Sequence, residues 1–292
     1  MESLFTGVAV LLRILSNPLG NVFQKQLTAK GHDPLLVNFL TYLLLSVVCI
    51  AIAAQVNWAA LSNAFWLFSV LGGITGALGN SLLVRALQKG ELSVLGPINS
   101  YKSIVGIIAG IFLLGEIPGL FGLIGVALII YGSYYVLDTT GNKFSWALLK
   151  KPEIRLRLSA MVFAAIEAVF DKKVILESSV GTAFLSWCWF GCLFSFLLLF
   201  PYRLDLRTEC KKIEWADGKK YMFLISCIGV MQFTTNYAFA HMPVGYALSL
   251  FQLSAVVSVL LGYRIFNELD VRKKLIGSAI MIAGSVIIIL IK

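Results

Sequence analysis

Residues 125–132 read GVALIIYG and residues 277–284 read GSAIMIAG, so Gly125-x-Ala127-x₄-Gly132 returns as Gly277-x-Ala279-x₄-Gly284 with identical spacing. Small residues at these intervals inside apolar runs mark a helix face built for close packing on another helix. The preceding turns match in the same register, Leu114-Gly115-Glu116 against Phe266-Asn267-Glu268. Near the start of each half, Val22-Phe23-Gln24-Lys25 corresponds to Val169-Phe170-Asp171-Lys172. Three concordant matches in similar order read as an internal duplication.

The chain around this repeat has 292 residues, 59% of them hydrophobic and 13% charged, where soluble domains carry about 25% charged residues. Its mean hydropathy is +0.86, an apolar surplus spread along the whole length. The bilayer is then the solvent for most of it. A spanning helix needs about 20 mainly apolar residues. Cutting at charged or Pro/Gly/Asn-rich breaks yields candidates at 3–24, 35–54, 65–88, 92–114, 120–137, 154–176, 182–200, 221–241, 244–266 and 274–291. Lipid offers the backbone no hydrogen-bond partner, so these runs are helices. The expected fold is an all-α membrane protein of ten transmembrane helices, arranged as two five-helix repeats. Residues 1–137 form the first, 138–153 link, and 154–292 form the second. Five is odd, so the second repeat enters from the opposite side and the two are inverted.

At these residues the chain resembles the EamA-type, ten-helix branch of the drug/metabolite transporter superfamily. The resemblance covers nearly the whole chain. It rests on the five-plus-five duplication, on Ala86-Leu87 leading into Leu92-Ser93-Val94 and Pro97, on Leu114-Gly115-Glu116, and on the Gly/Ala-rich fifth helix with Gly132. It implies a secondary transporter of small metabolites or drugs with a central cavity between the repeats. The second copy departs from the pattern at Asn267, where glycine is usual, and at Ser249, in the proline position.

Net charge is +9, from 24 Lys and Arg against 15 Asp and Glu. The basic residues lie between apolar runs, as topology signals do, so no nucleic-acid partner is expected. The odd-numbered loops hold nearly all of them, including Lys25, Lys30, Lys89, Arg155, Arg157, Arg203, Arg207 and Arg264. The other side holds Lys172, Lys173 and Lys292. That bias predicts both termini outside the cytoplasm, in the plasma (inner) membrane if the source is bacterial. The resemblance implies both termini inside. Five cysteines, two histidines and the lack of CxxC or HExxH favour neither a disulfide framework nor a metal site, and no cofactor is expected.

Charged side chains at mid-bilayer cost about 2.5–3.5 kcal/mol on insertion scales, so those retained there need a reason. Arg13, Asn17, Asn21 and Gln24 fall on one stripe of the first helix, which either lines a polar cavity, with Arg13 holding a carboxylate or phosphate, or seams two helices. Asn99 and Lys102 share a face of the fourth helix, one turn past a kink expected at Pro97. Lys102 either faces the cavity or neutralises Glu167. Glu167 is the one acid in the middle of an apolar span, with Asp171 nearer a helix end, and is the proton-coupling candidate. Gln232, Thr234, Thr235 and Asn236, with Ser249 and Gln252, either bond the solute or join helices. The row Gly72, Gly73, Gly76 and Asn80 reads as close packing, and Arg85, Tyr42, Tyr131, Trp187 and Trp189 as cavity or interface residues, with interfacial belts the ordinary explanation for the tryptophans. Glu116 and Glu268, at equivalent turns on opposite membrane faces, read as solvated helix ends in preference to gates.

The expected function is a secondary active transporter of a small organic metabolite, anionic or zwitterionic, such as an amino acid or carboxylate. It would work by alternating access, with two similar bundles rocking about a central site. Its partners are then a small-molecule substrate, membrane lipid and a coupling proton. Efflux of cationic or lipophilic drugs is the alternative in the same class, and a non-transporting receptor or intramembrane enzyme the alternative outside it. No GxSxG, paired histidines or Walker motif supports an enzyme or an ATP-driven pump.

Overall fold

The computed structural model describes residues 2–90, 95, 101–137, 151–202, 204–267, 276–277, 279–284 and 287, and among these there is no strand. Twelve α-helices are α1 (Glu2–Ala29), α2 (Pro34–Val48), α3 (Ile50–Ala53), α4 (Asn63–Lys89), α5 (Lys102–Leu114), α6 (Leu120–Leu137), α7 (Pro152–Leu176), α8 (Val180–Leu197), α9 (Leu206–Cys210), α10 (Asp217–His241), α11 (Val244–Phe251) and α12 (Ser254–Phe266). A short 3-10 turn spans Trp58–Ala60. Residues 276–277 and 279–284 are helical too. Three helices, α4, α8 and α10, together with the run Val244–Phe266, are long and apolar enough to cross a membrane. Helices α1 and α7 run 28 and 25 residues and carry the buried charges described below.

The helix ends follow local chemistry. Asp33, Ser62, Ser179 and Asp205 accept a backbone N–H in the first turns of α2, α4, α8 and α9, satisfying donors that helix geometry leaves open. The last turns of α5 and α12 close with left-handed residues, Gly115 at φ 69° and Asn267 at φ 54°. Asparagine tolerates this region, so the departure from glycine at Asn267 leaves the turn geometry of the two copies alike. Asn267→Val is expected to lower stability by about 1–2 kcal/mol, and Asn267→Gly to leave it level or slightly higher. Melting temperatures in detergent would check both.

One expectation needs correction. The run 244–266 is not a continuous helix: it breaks at Gln252 and Leu253, between α11 and α12, without any proline. Helix α12 begins at Ser254, and α5 begins at Lys102; both begin 12 residues before the last residue of the helix, Phe266 and Leu114 respectively. The break in the second copy thus falls at the repeat-equivalent of the start of α5, while the kink expected at Pro97 lies, with Ser93, outside the described residues.

Packing runs across the halves of the chain. The most extensive contact is α4 on α7 and the next is α1 on α10, and in the register of the repeat these are the same contact made twice. Likewise α5 on α7 answers α12 on α1. Two equivalent bundles result, one of α4, α5 and α7 and the other of α10, α12 and α1, each mixing both halves. The bodies that flank the cavity are thus not the two sequence repeats. The glycine row of α4 packs tightly, as its spacing predicts: Gly73 meets Phe190 of α8, and Gly79 meets Ala160 and Phe163 of α7. Gly132 of α6 faces the backbone of Gly277 and Met281, while Gly284 faces the carbonyl of Gly125 and the side chain of Leu128. Those contacts cross in antiparallel order, and each is the repeat-equivalent of the other.

Candidate functional site

Between the two bundles lies a cavity of about 80 Å³, more than the space one water needs. The α1 stripe Arg13, Asn17, Asn21 and Gln24 lines it, and α4 adds Gly79, Asn80 and Leu83. From α7 come Arg157, Ala160, Ala164, Glu167 and Asp171, at spacings of three, four, three and four that keep them on one face. Lys102 opens α5, Trp187 enters from α8, Gln232, Thr235 and Phe239 come from α10, and Leu248 and Phe251 from α11.

Arg13 is 7% exposed. Its Nε donates to Thr235 Oγ1 at 2.8 Å, and Thr235 in turn donates to the Met231 carbonyl. The guanidinium carbon sits 4.9 Å from the Phe251 ring centre, a cation–π contact. Among the described residues its Nη1 has no partner. Gln24, 3% exposed, lines the same cavity, and its Oε1 is likewise unpartnered among the described residues. Buried polar atoms are nearly always paired, so an unsatisfied donor and an unsatisfied acceptor on residues of one cavity wall set this region apart.

Glu167 Oε1 accepts from Trp187 Nε1 at 2.7 Å. Its carboxylate occupies the space that a β-carbon at Gly76 would fill, so the glycine of α4 makes room for the acid of α7. Trp187 packs on Tyr42, ring centres 4.7 Å apart, and Asn80 donates to the Tyr42 hydroxyl. Asp171 Oδ2 accepts from Gln232 Nε2 at 3.1 Å, and the same amide nitrogen donates to Asn236 Oδ1 at 3.0 Å. Arg157 Nε donates to the Leu95 carbonyl at 2.8 Å. Lys102 is half-buried and within charge–charge range of Glu167, Arg13, Asp171 and Arg157, most strongly Glu167. Among the described lining residues, three basic side chains thus face two carboxyl groups in a low-dielectric space, an excess of one formal positive charge.

The structure brings together Arg13, Asn17, Asn21, Lys102, Glu167 and Gln232 around this cavity. Asn236 stands behind Gln232, at 1% exposure. Gln252 Nε2 donates to the Leu248 carbonyl at 2.8 Å, at the break between α11 and α12, and is not among the cavity-lining residues. Asn99 lies outside the described residues. Two charged lining residues escape the sequence reading: Arg157 counts there as a loop cation and Asp171 as a helix-end acid, while Trp187 is open there between cavity and interface. The stripe of α7, with alanines between the charges, is the signal that picks out Arg157 and Asp171. Glu116 is also not simply solvated, since its Oε2 accepts from the Val244 N–H at 2.8 Å.

Comparison with known proteins agrees with this architecture. The model of the EamA-like transporter family matches residues 7–137 and again 152–290. The "uncharacterized transporter in cobO 3'region" of a Sinorhizobium species is 27% identical over 115 residues, 38% of this chain and 82% of that protein. A solved crystal structure superposes with a TM-score of 0.71 at 17% identity, over 98% of this chain and 95% of its own, and so shares the fold. With both halves matched, the chain belongs to the EamA-like transporter family and is an integral membrane protein of the transporter class.

Proposed function

We propose that the protein is a secondary active transporter that binds a small anionic or zwitterionic organic solute, such as an amino acid or a carboxylate, in the central cavity. The observation that carries this reading is the open Nη1 of buried Arg13 beside an excess of positive charge. An isolated buried charge is costly, and a solute carboxylate would satisfy it through a charge-assisted hydrogen bond. A donor group on the solute would meet Gln24 Oε1. Asn17 and Asn21 supply neutral hydrogen bonds along the same stripe, and Asn99 belongs to this set by sequence.

The transport route is alternating access through ten spans in two inverted repeats, 1–137 and 154–292, joined by 138–153. The reciprocal glycine contacts support the inversion, and the two mixed bundles are the bodies that move. Both termini lie outside the cytoplasm on the Lys/Arg bias, which carboxyl-terminal reporter fusions would check.

Purified protein melted with amino acids, organic acids, sugar phosphates and cationic drugs tests the binding reading. A ligand at a hundred times its Kd adds about 2.7 kcal/mol to stability, so a carboxylate-bearing solute is expected to raise the melting temperature. Stabilisation by cationic drugs alone would overturn it. Glu167 is the proton-carrying group in this scheme. Glu167→Gln keeps an acceptor for Trp187 but cannot load and release a proton. The variant is expected to lose solute uptake driven by a pH gradient while retaining solute exchange, and undiminished gradient-driven uptake would remove Glu167 from that role.

A further inference from the structure

At one end of the cavity the two bundles are tied together by a lysine and a glutamate that the binding reading does not use. Lys172 follows Asp171 on α7. Its Nζ donates to the Phe239 carbonyl and to the Met242 carbonyl, the latter at 3.3 Å, at the end of α10. It also lies 3.8 Å from Glu116 Oε1, just past α5. The other oxygen of Glu116 accepts the Val244 N–H that opens α11. This single pair therefore satisfies open carbonyls at one helix end and an open N–H at the next, while joining α5 and α7 of one bundle to α10 of the other.

Helix α11 completes the closure. It carries the chain from α10 to α12 but lies across onto α5, with Leu248 over Gly106 and Ile107 over Gly245. The Tyr246 hydroxyl accepts from the Gly119 N–H at 2.8 Å. One other charged side chain described above also reaches across, since Asp171 of α7 accepts from Gln232 of α10 inside the cavity. Lys25, at the register of Lys172, sits 4.4 Å from the Phe266 ring at the end of α12, within the bundle it shares with α1. Lys30 pairs with Asp217 at 2.8 Å, between α1 and α10, which already pack on each other.

We propose that Lys172 and Glu116 are the gate residues of this end of the transporter: paired within one bundle, they hold the last carbonyls of α10 and the first N–H of α11 across the cavity, and they must release that backbone each time the solute leaves or enters through this face. Water admitted to the opened end would solvate both charges, so the pair can exchange partners during the cycle, whereas an apolar seal would have none to exchange. The inference rests on the cavity being the transport route, and the test separates the two.

A reporter cysteine, Ala164→Cys, is placed in the cavity wall of a chain whose five native cysteines are replaced. A membrane-impermeant thiol reagent is then applied to either face of membrane vesicles. The parent is expected to label from one face. Glu116→Gln keeps an acceptor for Val244, and Lys172→Gln keeps a donor for the carbonyls, so each exchanges a charge-assisted hold on the other bundle for a weaker neutral one. Each is expected to raise labelling from the closed face about fivefold or more, the double variant no further than either alone, and Glu116→Asp, which keeps the charge, to stay near the parent. If one variant fails to fold, the other carries the test. Unchanged closed-face labelling in a folded variant would overturn the gate alone. A reporter that labels from neither face would overturn the cavity route and the gate with it.

Discussion

Arg13→Ala is expected to abolish the thermal stabilisation that carboxylate-bearing solutes would confer, while the unliganded protein melts within a few degrees of the parent. The fold tolerates the loss because Thr235 keeps its own bond to the Met231 carbonyl, and because removing one of three cations leaves the two cavity carboxylates balanced by Lys102 and Arg157. Binding does not tolerate it. A hydrogen bond to a charged group contributes about 1.5–3 kcal/mol, which is roughly 10- to 100-fold in affinity. Arg13→Lys keeps the charge but loses the planar fork that holds Nε on Thr235 while Nη1 stays open, so partial binding is expected. The measurement is the melting shift against concentration for the best solute of the panel. An Arg13→Ala protein that binds that solute as tightly as the parent would leave Arg13 as a structural residue packed on Phe251.

Gly132→Val is expected to destabilise the folded protein by about 1–3 kcal/mol, the range for overpacking a well-filled contact. The added atoms would meet backbone, the Gly277 carbonyl and the Met281 N–H, and backbone cannot rotate away as a side chain can. In lipid, close packing holds helices together without help from the hydrophobic effect, so separating them by a methyl group removes much of what joins them. Gly284→Val should cost a similar amount against Gly125, since the two contacts are equivalent. The double variant should cost less than the sum, because the first substitution already parts the helices. Denaturant melts in detergent would read all three, and a Gly132→Val protein as stable as the parent would mean that these helices do not depend on this approach.

What the sequence makes legible follows from how strongly each feature is constrained. The bilayer's demand for internally bonded backbone makes the long apolar helices readable, and the duplicated Gly-x-Ala-x₄-Gly pattern marks a contact that needs both copies. The stripe of Arg13, Asn17, Asn21 and Gln24 is readable because four polar residues on one face of an apolar helix have few places to go. Arg157 and Asp171 are not, because α7 has 25 residues, about 37 Å at 1.5 Å per residue. That exceeds the hydrocarbon core of about 30 Å, so distance from the helix end is a poor guide to depth. The break after Phe251 has no proline or glycine to announce it. The mixed composition of the bundles is hidden as well, since chain order says which residues repeat but not which helices touch.

The reciprocal contact between α6 and residues 277–284 is isologous, the kind that joins two identical subunits about a two-fold axis. Were the two halves separate identical polypeptides, every cavity side chain would appear twice, once from each subunit. Here the register of the repeat pairs Arg13 with Ala160, Glu167 with Gly20, and Asp171 with Gln24. Covalent fusion has allowed one half to place a guanidinium where the other keeps a methyl group, and one to place a carboxylate where the other has no side chain. A homodimer could line such a cavity only with a symmetric ring of charge, whereas the fused chain lines its own with different chemistry on the two sides.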